Sequence, residues 1–253
     1  MADRRRSNSR DWRTLARRLV TKASAGRRLV WRARRQTEID FWADWLVGAP
    51  GTEQWGWDRE ERLDPSTEIR DPLVREELER LTSDEVSILD VGAGPLTSLG
   101  YRYPGRTVTI VPVDPLAGDY DRLLAEAGLD PPIRTIGVAG EELVERFGHR
   151  RFDIAYAANS LDHSADPLAI VANMVSVVRD GGVVLLRHKR NEGESARYGG
   201  LHQWNFDAVD GRLRLWNDGA EIDVGAALGE RAVLTAEISG SEVVARLVVT
   251  RLE

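Results

Sequence analysis

Short apolar runs alternate with helix-like segments from residue 85 onward. The runs are apolar on both faces, as strands buried between two layers of helices are; they read VSILDVGAG, VTIVPVD, IRTIGVAG, FDIAYAAN and GGVVLLRH. The segments between them have helical character; they read DYDRLLAEAG, EELVERFG and DPLAIVANMVSVVRDGG. Strands that alternate with helices predict a parallel sheet with helices on both sides.

The last two strands break this alternation. RAVLTAEISG and SEVVARLVVTRLE are separated only by a short turn around Gly240, which predicts a hairpin whose final strand runs antiparallel to the others. Residues 85–253 are therefore predicted to form one α/β domain, a Rossmann-like, doubly wound sheet of seven strands that is mostly parallel and ends in an antiparallel hairpin.

The first 84 residues predict a basic N-terminal helix followed by a helical lead-in. TEIDFWADWLVG is dense enough in apolar side chains for a buried helix face. DPLVREELERL predicts a helix capped by Asp71, with Pro72 at its first position. Such a lead-in either packs over the mouth of a binding site or simply extends the fold, and the sequence leaves both interpretations open.

Charged residues are distributed unequally along the chain. Residues 1–36 carry a net charge of +11, so the remainder carries −17 of the total of −6. Three interpretations of this basic head compete: a helix whose arginines cover the acidic body, a helix that lies on an anionic membrane surface, and a nucleic-acid contact. The acidic body makes nucleic acid the least favoured partner.

Composition excludes several classes of protein. The 253 residues include no cysteine, which excludes a disulfide framework and a thiolate metal site. No apolar run approaches the ~18 residues of a membrane span, and arginines interrupt the N-terminus where a signal peptide needs an apolar core. The expected location is the cytoplasm, with peripheral membrane association if the head binds lipid.

Glycines follow the first strand in ILDVGAGPLTSLG. Without a β-carbon, Gly92 and Gly94 let the backbone turn sharply and approach a ligand closely. Asp114 ends the second strand, where an acid either accepts hydrogen bonds from ribose hydroxyls or caps the next helix. Dinucleotide enzymes share this arrangement, but their fingerprint needs a third glycine where Thr97 stands.

These motifs, with FDIAYAANSLDHSADP at the next strand, resemble class I S-adenosylmethionine-dependent methyltransferases. The resemblance implies S-adenosyl-L-methionine as the cofactor. It also implies a set of cofactor-binding residues at the carboxyl ends of the strands, namely Asp90, Gly92, Ala93, Gly94, Asp114, Pro115, Leu116, Asn159 and Ser160.

The polar segment HKRNEGESARYGGLHQWNF, residues 188–206, follows the fifth apolar run. In the family, the chain at this point builds part of the acceptor pocket, and NEGE…Y.GLHQWNF resembles a group of little-characterised bacterial O-methyltransferases. The resemblance implies methylation of a hydroxyl on a sugar, glycan or secondary metabolite. The predicted acceptor residues are Tyr198, His202, Gln203 and Trp204. Alternatively, Trp204 and Phe206 pack on the terminal hairpin.

A sugar hydroxyl benefits from a general base, and histidine has a suitable pKa near neutrality. His163 and His188 are the predicted catalytic residues, because both follow strands at the cofactor edge. A Mg²⁺ site is a minor alternative with oxygen and nitrogen ligands from Asp162, His163, His188 and Glu192. Their spacing matches no metal motif, so no metal is predicted.

Two other classes of function stay open. One is an NAD-type oxidoreductase on the same sheet, which the missing third glycine and the terminal hairpin disfavour. The other is a non-catalytic cofactor-binding protein that is tethered by its basic N-terminal helix. The sequence predicts no oligomeric state.

Overall fold

The computed structural model describes residues 8–52 and 59–251 and, within these ranges, side chains from residue 26 onward. Its main sheet has six strands in the order β2-β1-β3-β4-β9-β8. They are β1 (Glu85–Val91), β2 (Thr107–Val113), β3 (Phe152–Ala158), β4 (Val178–Lys189), β8 (Ala232–Ser239) and β9 (Glu242–Val249). The first four run parallel, and β9 pairs antiparallel with β4 and β8, which confirms the mostly parallel sheet and its terminal hairpin.

The prediction of seven strands in this sheet is wrong. The run IRTIGVAG forms only a parallel bridge between Val113 and Ile136, with backbone hydrogen bonds from the Ile136 and Asp114 amides. Pro131 and Pro132 precede this run and Gly137 interrupts it, so few residues are left to extend a ladder.

A second sheet, which the sequence analysis missed, lies in the segment after β4. It is antiparallel and consists of β5 (Asn205–Val209), β6 (Arg212–Asn217) and β7 (Ala220–Asp223). Asp210-Gly211 and Asp218-Gly219 form its two turns, and Asp-Gly between alternating apolar residues is a hairpin signal. The polar segment that begins at residue 188 is therefore the start of a longer insertion between β4 and β8, which extends well beyond residue 206.

Helices cover the main sheet. They are α2 (Arg59–Leu63), α3 (Pro72–Arg80), α4 (Ala117–Ala127), α5 (Leu143–Phe147) and α6 (Pro167–Val177), with α7 (Glu192–Ser195) and α8 (Val224–Leu228) flanking the second sheet. Asp71 caps α3 by accepting hydrogen bonds from the Leu73 and Val74 amides, as its sequence predicts. Within the described ranges, short 3-10 helices connect elements at Gly140–Glu142, Leu161–His163 and Gly229–Arg231.

One long helix, α1 (Asn8–Leu46), joins the basic head to the lead-in. Near its end, Ile39, Trp45 and Leu46 share a buried apolar cluster with Leu116 and Tyr120 at the start of α4. This cluster fixes the end of α1 beside the carboxyl edge of the main sheet.

The described part of the basic head contacts both the loop before α6 and the insertion. Arg27 donates to the Ala165 carbonyl at 2.7 Å, and Arg34 donates to the Tyr198 carbonyl at 2.8 Å. These two contacts agree with arginines that cover the body. The side chains of residues 1–25, on which the membrane and nucleic-acid interpretations largely depend, lie outside the described residues. No helix among the described residues is long and apolar enough to cross a membrane.

Candidate functional site

The glycine loop after β1 packs tightly on two neighbours. Gly92 and Gly94 have positive φ angles of 72° and 66°, which L side chains seldom adopt. A β-carbon on Gly92 would lie 2.4 Å from the Ser160 side chain, and one on Gly94 would lie 2.8 Å from the Trp42 ring. Conformation and space thus both require glycine, and α1 covers the loop through Trp42.

Thr97 has a distinct role at the end of this loop. Its hydroxyl donates to the Asp90 carboxylate at 2.6 Å, and both side chains are buried. Burial raises the pKa of Asp90 to about 6, although Thr97 and the nearby Arg62 oppose the shift. The residue that replaces the third glycine of the dinucleotide fingerprint therefore holds the loop onto β1.

Asp114 links the glycine loop to the start of α4. Its carboxylate accepts from the Gly94 amide at 3.3 Å and from the Leu116 amide at 2.8 Å. Burial, helped by the charge of Glu38 on α1, raises the pKa of Asp114 to about 7 against the effect of these two hydrogen bonds. Each carboxylate oxygen keeps lone pairs that can accept from a ligand hydroxyl.

The remaining predicted cofactor residues lie at the same edge. Ser160 donates to the Val91 carbonyl at 3.1 Å, and Asn159, with φ of 46°, accepts from the Lys189 amide at 2.7 Å. Leu116 is buried in the cluster beneath α1, Pro115 is exposed, and the Ala93 amide bonds to the Val113 carbonyl. The structure therefore brings these residues together around the carboxyl ends of β1, β2 and β3.

Three side chains whose atoms can act as metal ligands converge beside this edge: Asp162, His163 and His202. We call them the Asp-His triangle. Asp162 Oδ2 lies 2.6 Å from His202 Nδ1, which lies 3.1 Å from His163 Nε2. The third side, from His163 Nε2 to Asp162 Oδ2, is 3.7 Å. Two segments that are distant in sequence, the 3-10 helix after β3 and the insertion, therefore form one polar cluster.

Gln203 holds these two segments in register. Its backbone amide donates to the Asp162 carbonyl at 2.9 Å, and its side-chain amide donates to the His163 carbonyl at 3.1 Å. Gln203 was predicted to contact an acceptor, but in the structure it supports the backbone of the triangle.

The charges of the triangle stabilise one another. Burial alone would raise the pKa of Asp162, but His163 and the hydrogen bond from His202 outweigh it and leave the pKa lowered. Burial alone would lower the pKa of His202, but the Asp162 hydrogen bond and charge leave it raised. Glu38 Oε2 also lies 3.6 Å from His163 Nδ1, so α1 adds a second carboxylate.

His188 lies behind the edge, inside the core. Its ring is 2% exposed and stacks on Phe206 with 4.1 Å between centroids. Neither ring nitrogen has a hydrogen-bond partner among the described residues, and burial lowers the pKa of His188 to about 4. The structure favours His163 and His202 over His188 for contact with an acceptor, and the identity of the base stays a prediction.

Trp204 is also buried, at 1% exposure, in the apolar cluster that includes the terminal hairpin. The Arg27 guanidinium lies over the indole ring, 4.7 Å from its centre. The Tyr198 hydroxyl accepts from the Asn205 side chain at 3.1 Å. Among the four predicted acceptor residues, His202 therefore has the most direct place in the polar cluster.

Sequence reasoning missed Glu38 and Trp42. Trp42 donates from its indole nitrogen to Glu38 Oε1 at 2.8 Å, so the pair acts as a unit above the glycine loop and His163. Both lie in the lead-in, for which the sequence left open either packing over the mouth of a binding site or a simple extension of the fold. Which loop the lead-in would cover depends on tertiary packing, for which the sequence offers no signal.

No family model matches the sequence, and no curated protein matches it. Solved structures do match. The SeMet-substituted CurJ carbon methyltransferase aligns with a TM-score of 0.51 at 16% identity, over 71% of this chain and 52% of that one. An S-adenosylmethionine-dependent methyltransferase from Clostridium acetobutylicum ATCC 824 aligns with a TM-score of 0.43 at 13% identity, over 79% and 95%.

The T. thermophilus 16S rRNA N2 G1207 methyltransferase RsmC, in complex with AdoMet and guanosine, aligns with a TM-score of 0.37 at 16% identity, over 72% of this chain and 40% of that one. The chain thus spans about half the length, or less, of the CurJ and RsmC structures. At such identity the CurJ likeness shows the fold alone: the main domain has the class I methyltransferase fold.

Proposed function

We propose that the protein is an S-adenosylmethionine-dependent methyltransferase. The observation that carries the proposal is the glycine loop, which is held between the buried Asp114 carboxylate and Ser160 at the carboxyl edge of a class I methyltransferase sheet. Open α/β sheets bind their ligands at this edge. The positive φ angles of Gly92 and Gly94 give the loop the sharp turn that such a site needs.

The residues present fit this cofactor. The Asp114 carboxylate can accept hydrogen bonds from ribose hydroxyls, and Glu38 and Asp162 place further negative charge beside the same edge. A sulfonium ion is cationic, so carboxylates around it are favourable. The residues assigned to hold the cofactor are those predicted from the sequence, from Asp90 to Ser160, together with Glu38 and Trp42 on α1. When bound, the cofactor supplies a methyl group that is intrinsically transferable.

We assign the acceptor as a hydroxyl of a sugar, glycan or secondary metabolite. A hydroxyl differs from a neutral amine, which attacks with a free lone pair, in that it needs its proton removed as the new bond forms. The Asp-His triangle supports this assignment, because it places two imidazoles and a carboxylate beside the cofactor edge. The triangle would accept the proton that the hydroxyl loses when it is methylated.

His202 is the best-oriented histidine of the triangle for a general base. Its Nδ1 faces Asp162 Oδ2 at 2.6 Å, and an Nδ1–H that donates to a carboxylate leaves Nε2 as the basic nitrogen. The chain's other contribution is position, because alignment of the acceptor oxygen with the methyl group lowers the barrier by roughly 7–11 kcal/mol.

The acceptor class is tested with S-adenosylmethionine labelled in its methyl group and a panel of polyhydroxylated sugars and aromatic metabolites. Each acceptor is paired with an analogue whose hydroxyls are already methylated. We expect label in the free hydroxyl compounds only. Label on nitrogen or carbon acceptors, with none on hydroxyls, would contradict O-methylation and leave the methyltransferase assignment intact.

A further inference from the structure

We infer that the Asp-His triangle is a binding site for a divalent transition-metal cation. Asp162 Oδ2, His163 Nε2 and His202 Nδ1 all lie within 4.8 Å of one another, and each atom is of a type that ligates metals. Asp162 is only 2% exposed, and its Oδ1 has no hydrogen-bond partner among the described residues. A buried carboxylate with unused acceptor capacity is costly unless a positive group offsets its charge.

The dimensions of the triangle match a coordination face. Ligands at about 2.1 Å from a cation are separated by about 3.0 Å at a right angle and by about 3.4 Å at a tetrahedral angle. The three sides here are 2.6, 3.1 and 3.7 Å. Sub-ångström movements of the two imidazole rings would therefore place all three atoms at ligand distance from one central ion.

Hydrogen bonds alone explain the short distances within the triangle less well than a bound cation does. His202 Nδ1 lies within 3.1 Å of both Asp162 Oδ2 and His163 Nε2, but a ring nitrogen carries at most one hydrogen. That hydrogen can point along only one of the two directions, so one close approach is left without a good bond. A central cation interacts with all three lone pairs at once.

The surroundings of His163 resemble those of a metal-bound histidine. A ligating imidazole usually donates its other ring N–H to a carboxylate, which fixes the ring and its tautomer. Glu38 Oε2 lies 3.6 Å from His163 Nδ1, just beyond hydrogen-bond distance, so a small rotation of the ring would complete this contact; Glu38 Oε1 is held by the Trp42 indole at 2.8 Å. Gln203 fixes the backbone of Asp162 and His163. Two of the three residues of the triangle are thus supported from outside it.

The donor set selects the cation. Two imidazoles and one carboxylate suit Zn²⁺, Fe²⁺, Co²⁺ or Ni²⁺ better than Mg²⁺ or Ca²⁺, which prefer oxygen ligands only. The site therefore differs from the Mg²⁺ alternative of the sequence analysis. Glu192 pairs with Lys189 at 2.9 Å, and His188 stacks on Phe206, whereas His202 joins Asp162 and His163.

The catalytic consequence rests on the proposed function, whereas cation binding does not. A cation in the triangle would take the acceptor oxygen as a further ligand and lower the pKa of its hydroxyl. The proton would then leave to solvent, because both imidazole nitrogens that face the triangle are engaged as ligands. The cation would thus replace His202 as the group that activates the acceptor, with the methyl transfer itself unchanged.

The test uses the full chain without a histidine tag, stripped with a chelator and dialysed. Calorimetric titrations with Zn²⁺, Co²⁺ and Mg²⁺ are combined with metal analysis by mass spectrometry. The variants are His202→Ala, His163→Gln and Glu38→Gln. His149→Ala serves as the matched control, since His149 is an exposed histidine of a distant loop. Thermal unfolding of each variant checks that it is folded.

We expect one equivalent of Zn²⁺ or Co²⁺ in the wild type and in His149→Ala. We expect roughly 10–100-fold weaker binding in Glu38→Gln, as for other carboxylates behind metal ligands, and a larger loss in the two histidine variants. Absence of stoichiometric binding in the wild type, equal binding in folded His202→Ala, or Mg²⁺ binding as tight as Zn²⁺ binding would overturn the inference.

The same samples are titrated with S-adenosylhomocysteine. Binding of this ligand without any metal binding would reject the cation site and leave the proposed methyltransferase standing. Metal binding without it would reject the proposed function and leave the cation site standing.

Discussion

Asp114 joins three segments at the residue scale: the glycine loop, the end of β2 and the start of α4. We predict that Asp114→Asn weakens S-adenosylhomocysteine binding by about 1–3 kcal/mol, since buried ribose hydroxyls lose a charged acceptor. Calorimetry measures the loss. Asp121→Asn, which removes an exposed carboxylate that pairs with Arg134, should leave affinity unchanged. Equal affinities in both variants would show that Asp114 is only a local cap.

The buried His188 should make the stability of the protein depend on pH. Its pKa is lowered to about 4 in the fold, against an ordinary value of 6.5, so the unfolded chain binds a proton that the folded chain excludes. The free energy of unfolding should therefore fall by about 3 kcal/mol as pH drops from 6.5 to 4. In His188→Phe this part of the dependence should vanish. Urea unfolding at several pH values measures the difference between the two proteins.

The same variant bears on catalysis. Because His188 lies in the core, His188→Phe should retain turnover once an acceptor is known. A loss of roughly 10²–10⁴-fold with the fold intact would instead identify His188 as the base.

For the two histidines of the Asp-His triangle, we predict the opposite effect on turnover. His202→Ala and His163→Ala should each lower turnover by roughly 10²–10⁴-fold at saturating cofactor, whether the group that activates the acceptor is an imidazole or a bound cation. S-adenosylhomocysteine affinity should survive, and His149→Ala should be unaffected. Steady-state kinetics provide the measurement, and small effects from both histidines would contradict the placement of the acceptor.

The sequence located individual residues only in part. Gly92, Gly94 and Asp114 were identifiable because the positions of glycine and acid after strands follow from local geometry. The partnership of Asp162 with His202 was not, because those residues are 40 positions apart and meet only through the insertion. Burial of His188 was equally hidden, since strand ends look alike in sequence whether they face solvent or a second sheet, whereas packing of Trp204 on the terminal hairpin was one of the two alternatives that the sequence left open.

At the scale of elements, the cover that α1 forms over the glycine loop is open to a direct test. Gly94→Ala places a β-carbon 2.8 Å from Trp42, whereas Gly105→Ala meets nothing within 4 Å at a similar φ of 77°. We predict that Gly94→Ala costs about 1–3 kcal/mol more in unfolding free energy than Gly105→Ala. The excess should disappear in a Trp42→Ala background. Chemical denaturation compares the four variants.

Persistence of that excess without Trp42 would mean that α1 does not press on the loop. Equal costs for the two glycines in the wild-type background would mean the same.

Strands and helices of the main sheet were largely predictable, because continuous apolar runs alternate with helical segments. The second sheet was missed even though β6, RLRLWN, alternates polar and apolar residues and an Asp-Gly turn lies on either side of it. The resemblance to a family pattern instead suggested that this segment, with Trp204, lines an acceptor pocket. The run around Ile136 was predicted as a strand because it is apolar. The prolines that precede it shorten its ladder without removing that apolar pattern.

For the whole molecule, the charge asymmetry has a structural counterpart. The basic helix α1 contacts the insertion through Arg34 and through Arg27, whose guanidinium lies over the Trp204 ring, while its far end covers the carboxyl edge of the main sheet through Glu38 and Trp42. One helix thus touches both the proposed cofactor site and the segment that forms the proposed acceptor side. Association of the first 36 residues with an anionic membrane stays a prediction.

The central claim is that this edge of the sheet binds S-adenosylmethionine, and titration calorimetry with S-adenosylhomocysteine and NAD⁺ tests it most directly. The account predicts saturable binding of S-adenosylhomocysteine with one site per chain, weakened in Asp114→Asn, and no measurable binding of NAD⁺. Saturable binding of NAD⁺ with none of S-adenosylhomocysteine would contradict it.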